Sequence, residues 1–316
     1  MDKPILYIVV PCYNEQEALP ETNKQLQALR DEMERDELVS SQSKIMYVND
    51  GSRDNTWQLI ENYAQEPQHK VCGVKLAANA GHQNALMAGL ETAKQKADIM
   101  VSIDADLQDD IRAIPQMVKE YNNGCDIVYG VRRERKTDTW FKRTTALGFY
   151  KLMHALGVKS VYNHADYRLM SKRAVEQLCS YGERNLFLRG IVAQLGYKTA
   201  QVFYDRSERV AGESKYPLSK MLNLATDGIT SFSIKPLRCI TMLGAIFVLI
   251  AFCILIYVIC SMVKGSTVPG WTSLILSIWF VGGVILVCMG VVGEYIGKIY
   301  METKGRPRYN IEKVLE

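Results

Sequence analysis

Short apolar runs recur through the first 132 residues, separated by stretches in which apolar side chains return every three or four positions. ILYIVVP (5–11), KIMYVND (44–50), KVCGVKL (70–76), DIMVSID (98–104) and DIVYGVR (126–132) are brief, β-branched and nearly continuous, which predicts buried strands. The segments 15–38, 56–65, 80–96 and 112–122 carry the helical period. Alternation of the two predicts an α/β fold, with a mostly parallel sheet covered on both faces. Ligands of such sheets bind beyond the carboxyl ends of the strands. Residues 11–15, 49–52 and 104–110 are therefore expected around one crevice.

The pattern changes after residue 236. Residues 239–263 hold no charge over 25 positions, and 271–293 hold none over 23. At 1.5 Å per residue, each is long enough to cross a hydrocarbon core of about 30 Å. The link KGSTVPGW carries a single Lys and a Pro-Gly turn, so 237–297 is expected to form a two-helix transmembrane hairpin. Lys235 and Arg238 precede it; Lys298, Lys304, Arg306 and Arg308 follow it. The positive-inside rule then puts both ends in the cytoplasm, as a multi-pass protein of the inner membrane with a cytoplasmic tail over 298–316. With no ionisable group inside them, the spans read as an anchor rather than a transport path. Gly282, Gly283, Gly290 and Gly293 suit close helix packing, within or between chains.

Composition narrows the class. The 316 residues fit about two domains. A hydrophobic share of 48 % with 23 % charged residues excludes a disordered chain. The net charge of +4 is too mild for a nucleic-acid binder, which needs a dense basic stripe. The eight cysteines form no CxxC pair, so free thiols in a reducing compartment are expected, not a disulfide framework or a zinc site. The first apolar run is short and lacks a small-residue cleavage site, so it reads as a strand and not as a signal peptide.

Neither GxGxxG nor GxxxxGK[ST] follows any expected strand. The strand ends are acidic instead. Asp50 closes the second run, and Asp104, Asp106, Asp109 and Asp110 follow the fourth in SIDADLQDD. Paired carboxylates there suit a hard divalent cation, Mg²⁺ or Mn²⁺, which takes one or two carboxylates plus substrate phosphates. Asp54 is placed to cap the helix that follows.

PCYNE (11–15), NDGSRDNT (49–56), NAGHQNALMAG (79–89) and DADLQDD (104–110) occur in an order that resembles the family-2 glycosyltransferases of the GT-A fold. GVRRERK (130–136), HADYRLMSKRA (164–174), ERNLFLRG (183–190), RSERVAGESKY (206–216) and GEYIGKIYMETKGRPRY (293–309) narrow the resemblance to polyprenyl-phosphate glycosyltransferases. The bactoprenol glucosyltransferase group is the nearest type, akin to dolichol-phosphate mannose synthase. The resemblance implies a Rossmann-like GT-A domain over 1–215, an interfacial amphipathic helix over 216–236, and then the hairpin. It implies inverting transfer of one sugar, glucose or N-acetylglucosamine, from a UDP-sugar to undecaprenyl phosphate, giving a polyprenyl-phosphate sugar donor for a wall polymer, an O-antigen or a lipid modification. A homo-oligomer, tetrameric by the resemblance, and a flippase partner are implied as well.

The same resemblance assigns site residues. Pro11, Tyr13, Asn14, Glu15 and Asp50 match nucleotide contacts, Tyr13 by stacking on the base. Asp104 and Asp106 match the metal-binding DxD, with Asp104 also near the ribose and Gln108 facing the site. Arg209 and Ser214 match a mobile loop that contacts the diphosphate. Asp166 falls where an acidic residue lies near the transferred sugar, although HADYRL departs from the more usual GDFRL. It reads as a catalytic residue, either a general base or a group that holds sugar hydroxyls and orients Arg168. A lipid phosphate with a second pKa of about 6 is already a nucleophile and needs no base.

Arg132 and Arg143 lie in a basic stretch interleaved with Trp140, Phe141, Phe149, Leu152, Met153 and Leu156. Such a stripe suits the membrane interface, with the two arginines meeting the lipid phosphate. Leu218, Leu222, Ala225 and Ile229 form a second stripe of this kind. Two other readings compete: a non-catalytic membrane scaffold, against which the intact acidic motif argues, and a processive polysaccharide synthase, for which the QxxRW motif is missing and two spans are too few.

Overall fold

In the computed structural model, which describes residues 3–133, 164–184, 186–205, 235–263 and 270–316, the apolar runs close into one sheet of eight strands. These are β1 (Leu6–Cys12), β2 (Lys44–Asn49), β3 (Val71–Leu76), β4 (Ile99–Ser102), β5 (Ile127–Arg132), β6 (His164–Ser171), β7 (Thr199–Tyr204) and β8 (Ile311–Leu315). Their order is β7-β5-β6-β4-β1-β2-β3-β8. Neighbours are parallel except where β6 pairs with β4 and β5 and where β8 pairs with β3. The sheet is mostly parallel, as expected, but three of its strands were not anticipated. Arg143, Arg209, Ser214, the interfacial stripe over 140–156 and the stretch 216–234 lie outside the described residues.

Alternate residues of β1 serve two cores. Leu6, Ile8, Val10 and Cys12 pack with Ile45, Tyr47, Ile99 and Val101 under α1 (Leu19–Arg35), α2 (Thr56–Gln65) and α4 (Ala113–Asn122). The opposite residues Val9 and Val48 face α3 (His82–Ala93), where a Cβ on Gly89 would lie 2.5 and 2.6 Å from their methyl groups. Gly89 thus lets α3 approach the sheet closely. Helices on both faces explain why these strands read as unbroken apolar runs.

The first helix begins at Leu19, not at 15, and ends at Arg35. Asn14 adopts φ +54°, a left-handed conformation that cannot continue into a helix. Pro20 then sits in the first helical turn, where its missing N–H costs nothing. The buried stripe Leu19, Asn23, Leu26, Arg30 and Met33 has the spacing of one helix face.

The described residues divide into two units, one of them comprising the sheet and its helices together with 306–316. The segment expected as a tail is therefore part of this unit. β8 extends the sheet at β3, with Ala77 N donating to Asn310 O at 2.9 Å. Ion pairs Lys75–Glu312 at 2.9 Å and Lys313–Glu61 at 2.8 Å flank the strand. Arg308 donates to Tyr181 O, and the Tyr309 hydroxyl donates to Glu91.

The second unit contains two long helices, α7 (Lys235–Val263) and α8 (Trp271–Thr303). Phe247 and Phe280 meet across them with ring centroids 5.9 Å apart. α8 runs ten residues beyond the expected 293. Among the described residues, Phe280–Thr303 is long and apolar enough to cross a membrane.

Candidate active site

The loops after β1 and β2 are laced together by short polar side chains. Asn14 N donates to Ser52 Oγ at 3.0 Å, and Asn14 Oδ1 accepts from Arg53 N at 2.8 Å. Glu15 N donates to Thr56 Oγ1 at 2.9 Å. Asp54 accepts from Gln16 N at 3.1 Å and from Thr56 N at 3.0 Å, so it closes the entry to α2 as expected. The expected nucleotide contacts Pro11, Asn14 and Glu15 share this region, and Tyr13 is 43 % exposed, leaving a ring face open to a base.

Asp50 turns inward. Its two carboxylate oxygens accept from Ala80 N at 2.6 Å and Gly81 N at 3.0 Å, just before α3. Burial raises its carboxyl above the usual range, against the opposing pull of those two amides and of His82. Asp50 thus pins the loop before α3, and only its remaining lone pairs face a ligand. Gly51 makes that approach possible. Its φ is +63°, and a Cβ would lie 2.5 Å from Asn79 N and 2.6 Å from the Ala78 carbonyl carbon. Gly51→Ala is expected to cost about 1–3 kcal/mol and to weaken nucleotide binding, read by thermal unfolding and by donor titration calorimetry.

Asp104 and Asp106 follow β4 in a tight turn. Leu107 takes φ +49°, and Asp106 Oδ1 accepts from Gln108 N at 3.2 Å. Gln108 is 7 % exposed, so it supports this turn from within. Asp109 is buried and accepts at Oδ1 from Arg132 Nη2 (2.8 Å), Arg132 Nε (3.0 Å) and the Tyr204 hydroxyl (2.7 Å). Arg132, expected to meet a lipid phosphate, thus also pairs with a buried carboxylate.

Strand register brings in Asp166. β4 and β6 are antiparallel, with Val101 opposite Leu169 and Ser102 opposite Arg168. The ladder ends at Ser102, and beyond it Asp104 lies near enough to Asp166 for the two like charges to act on each other. Arg168 Nη2 donates to Asp166 Oδ1 at 2.6 Å, and Arg189 Nη2 to Oδ2 at 3.2 Å. Burial alone would raise the Asp166 carboxyl, but Arg189 and Arg168 outweigh it and hold it well below the usual carboxylate range. A carboxylate so held is a poor proton acceptor, which argues against the general-base reading of Asp166.

Two groups of the crevice were missed, His82 at 3.6 Å from Asp104 Oδ1 and Arg189 at the start of α6 (Leu188–Gln194), whereas the link between Asp166 and Arg168 was anticipated. Arg189 lay within the quoted motif ERNLFLRG, but nothing in its spacing pointed to Asp166. The pairing of both arginines with Asp166 comes from β6 and from Leu188, whose N donates to Gln83 Oε1 at 2.8 Å and whose O accepts from Arg168 Nη1 at 3.4 Å.

No group of three or more possible metal ligands occurs among the described residues. The chemistry of the donors still fits a hard divalent cation whose other ligands are phosphate oxygens. Enclosure raises the Asp104 carboxyl, His82 opposes this, and Asp166, Asp109 and Asp106 add to it. Because that side chain keeps 45 % exposure, the neighbouring like charges are the firmer cause. A bound cation would reverse their effect.

Residues 7–179 match the glycosyl transferase family 2 model, and 235–299 match the GtrB C-terminal hairpin. A Bacillus subtilis protein, uncharacterized glycosyltransferase YkoT, is 54 % identical over 98 % of this chain and 92 % of its own length. The bactoprenol glucosyl transferase of Shigella phage SfII is 42 % identical over 97 % of each chain. The crystal structure of mannosyl-3-phosphoglycerate synthase from Rubrobacter xylanophilus superposes with a TM-score of 0.51 at 17 % identity, over 77 % of this chain and 75 % of that one, a likeness of fold.

Proposed function

Because the chain belongs to glycosyl transferase family 2 and carries a GtrB C-terminal hairpin, we propose that it transfers one sugar from a UDP-sugar to undecaprenyl phosphate at a membrane surface. Its near full-length likeness to bactoprenol glucosyl transferases supports this acceptor and favours glucose. The observation that carries the reading is the acidic turn beyond β4, whose Asp104 feels the charge of Asp166 on β6.

The donor's base would stack on Tyr13, with the loops after β1 and β2 around the nucleoside. Asp104 and Asp106 would hold Mg²⁺ or Mn²⁺ against the diphosphate, and that cation would supply charge stabilisation for the departing nucleoside diphosphate. Asp166, kept ionised by Arg168 and Arg189, would accept from sugar hydroxyls and fix the ring. An oxygen of the acceptor phosphate attacks the anomeric carbon in line. One bond forms from that carbon to the acceptor oxygen as its bond to the donor's β-phosphate oxygen breaks, inverting the configuration. The acceptor is already ionised, so no side chain need take a proton. α7 and α8 would anchor the chain as two spans, with the sheet unit on the cytoplasmic side.

The test is a product assay. Detergent-purified protein is incubated with undecaprenyl phosphate, Mg²⁺ and a panel of UDP- and GDP-sugars, and glycolipid is read by mass spectrometry. One productive UDP-sugar is expected, with activity lost on chelation and restored by added Mg²⁺ or Mn²⁺. Full activity after exhaustive chelation would remove the metal from the reading. Folded protein that makes no glycolipid with any donor would favour the scaffold instead.

A further inference from the structure

The acidic turn after β4 includes Leu107 at φ +49°, a left-handed conformation that costs an L residue energy, so contacts from other elements must hold it. β6 holds its far end, where the Tyr167 hydroxyl donates to Asp110 O at 3.0 Å. α1 holds its near end. Thr22 Oγ1 donates to Ala105 O at 2.6 Å, across 83 positions of the chain. Ala105 stands between the two carboxylates, Asp104 and Asp106.

Thr22 belongs to the buried face of α1 and is 1 % exposed. A threonine hydroxyl inside a helix ordinarily turns back to the carbonyl four residues earlier. That carbonyl, Ala18 O, lies 3.0 Å from Thr22 Oγ1, but it already accepts from Thr22 N at 3.1 Å. A hydroxyl has one proton to donate. The shorter contact therefore takes it, and Ala105 O is the acceptor. The next residue, Asn23, accepts at Oδ1 from the Tyr47 hydroxyl of β2 at 3.1 Å, which ties this stretch of α1 to the sheet.

We infer that Thr22 is a positioning residue for the acidic turn. Its hydrogen bond fixes the plane of the 105–106 peptide, and with it the direction in which Asp106 leaves the backbone. Leu19 N, at the head of the same helix, donates to Glu15 O at 2.9 Å. One rigid element thus sets the loop after β1 and the turn after β4 relative to each other. A hard cation needs its carboxylate oxygens at fixed distances. Loss of the hydroxyl should therefore weaken the cation's share of donor binding more than the nucleoside's share. This inference rests on the reading that Asp104 and Asp106 hold a divalent cation.

The test is titration calorimetry of UDP-glucose against the full chain in detergent, with and without Mn²⁺, beside amide hydrogen exchange over residues 104–110. In the wild type Mn²⁺ should tighten UDP-glucose by about tenfold or more. Thr22→Val keeps the shape of the side chain and removes its proton. It should cut the Mn²⁺ gain about 5- to 10-fold and speed exchange in the turn by a similar factor. Binding of UDP-glucose without metal should stay within about twofold. Thr22→Ser restores the hydroxyl and should recover most of the gain and of the protection. Thr22→Ala serves as the test if the Val variant does not fold, with the same selective loss expected. An unchanged Mn²⁺ gain in the folded variant overturns the inference, as does an equal loss with and without metal. Wild-type protein with no Mn²⁺ gain would count against the metal reading instead. Faster exchange in the variant, reversed by Ser, would then leave the hold of Thr22 on the turn standing, and unchanged exchange would overturn it.

Discussion

Asp106→Ala should lower turnover about a thousandfold or more while the protein stays folded. The size follows from the role: losing a preorganised group that stabilises a departing oxyanion costs about 10²–10³ in rate, and here the loss would also weaken the hold on the cation. The side chain is part-exposed and accepts from Gln108 N at 3.2 Å, a bond whose loss should cost about 1 kcal/mol. Asp106→Asn separates charge from turn geometry. The amide oxygen can still accept from Gln108 N, but the charge is gone. Asn should therefore be nearly as inactive as Ala, with wild-type unfolding. If Asn retained most of the activity, Asp106 would be a turn residue and the metal would have to be held elsewhere.

Asp166→Ala should cost about 3–5 kcal/mol, because it leaves the guanidinium of Arg168 buried without its counter-charge. For a domain of this size that is a fall in the unfolding midpoint of roughly 10 °C. Burial already pulls the Arg168 guanidinium below its ordinary value, and Asp166 is the main influence opposing that. The pH dependence has a definite sign. The folded-state pKa of Asp166 is depressed, so its stabilisation is complete above the unfolded value of about 3.9 and is lost as pH falls towards the folded one. The midpoint gap between wild type and Asp166→Asn should stay constant from pH 8 to 5 and close below about pH 4. The same depression makes a kinetic prediction: no acid limb attributable to Asp166 should appear in kcat between pH 5 and 9. A limb in that range that vanished in Asp166→Asn would restore the general base.

The central strands were legible because each is buried on both faces, so composition alone marks them. β6 was not. In HADYRLMS the charged residues Asp166 and Arg168 alternate with Tyr167 and Leu169, which breaks any apolar run. Arg168 is buried only because Asp166 and Leu188 O receive it, and partners brought together by folding leave no mark in the spacing. The carboxylates could be foreseen because strand ends face ligands in α/β sheets, whereas the partners that tune them, His82, Arg168 and Arg189, come from α3, β6 and α6. Arg132 shows the same limit from the other side. It closes β5 rather than following it, and Asp109, which it pairs with, lies 23 positions earlier in the chain.

β8 is made after both apolar helices, yet the strand it covers, β3, is made before them. During synthesis the edge of β3 therefore stays bare while residues 77–310 emerge, until residues 311–315 leave the ribosome. An open strand edge is a template for wrong pairing. The polar flank of β8, with Lys75, Glu312, Lys313 and Glu61 in complementary pairs, favours the correct partner when it arrives. The sheet is thus completed only after both long apolar helices have been made, which leaves closure of its β3 edge to residues 311–315.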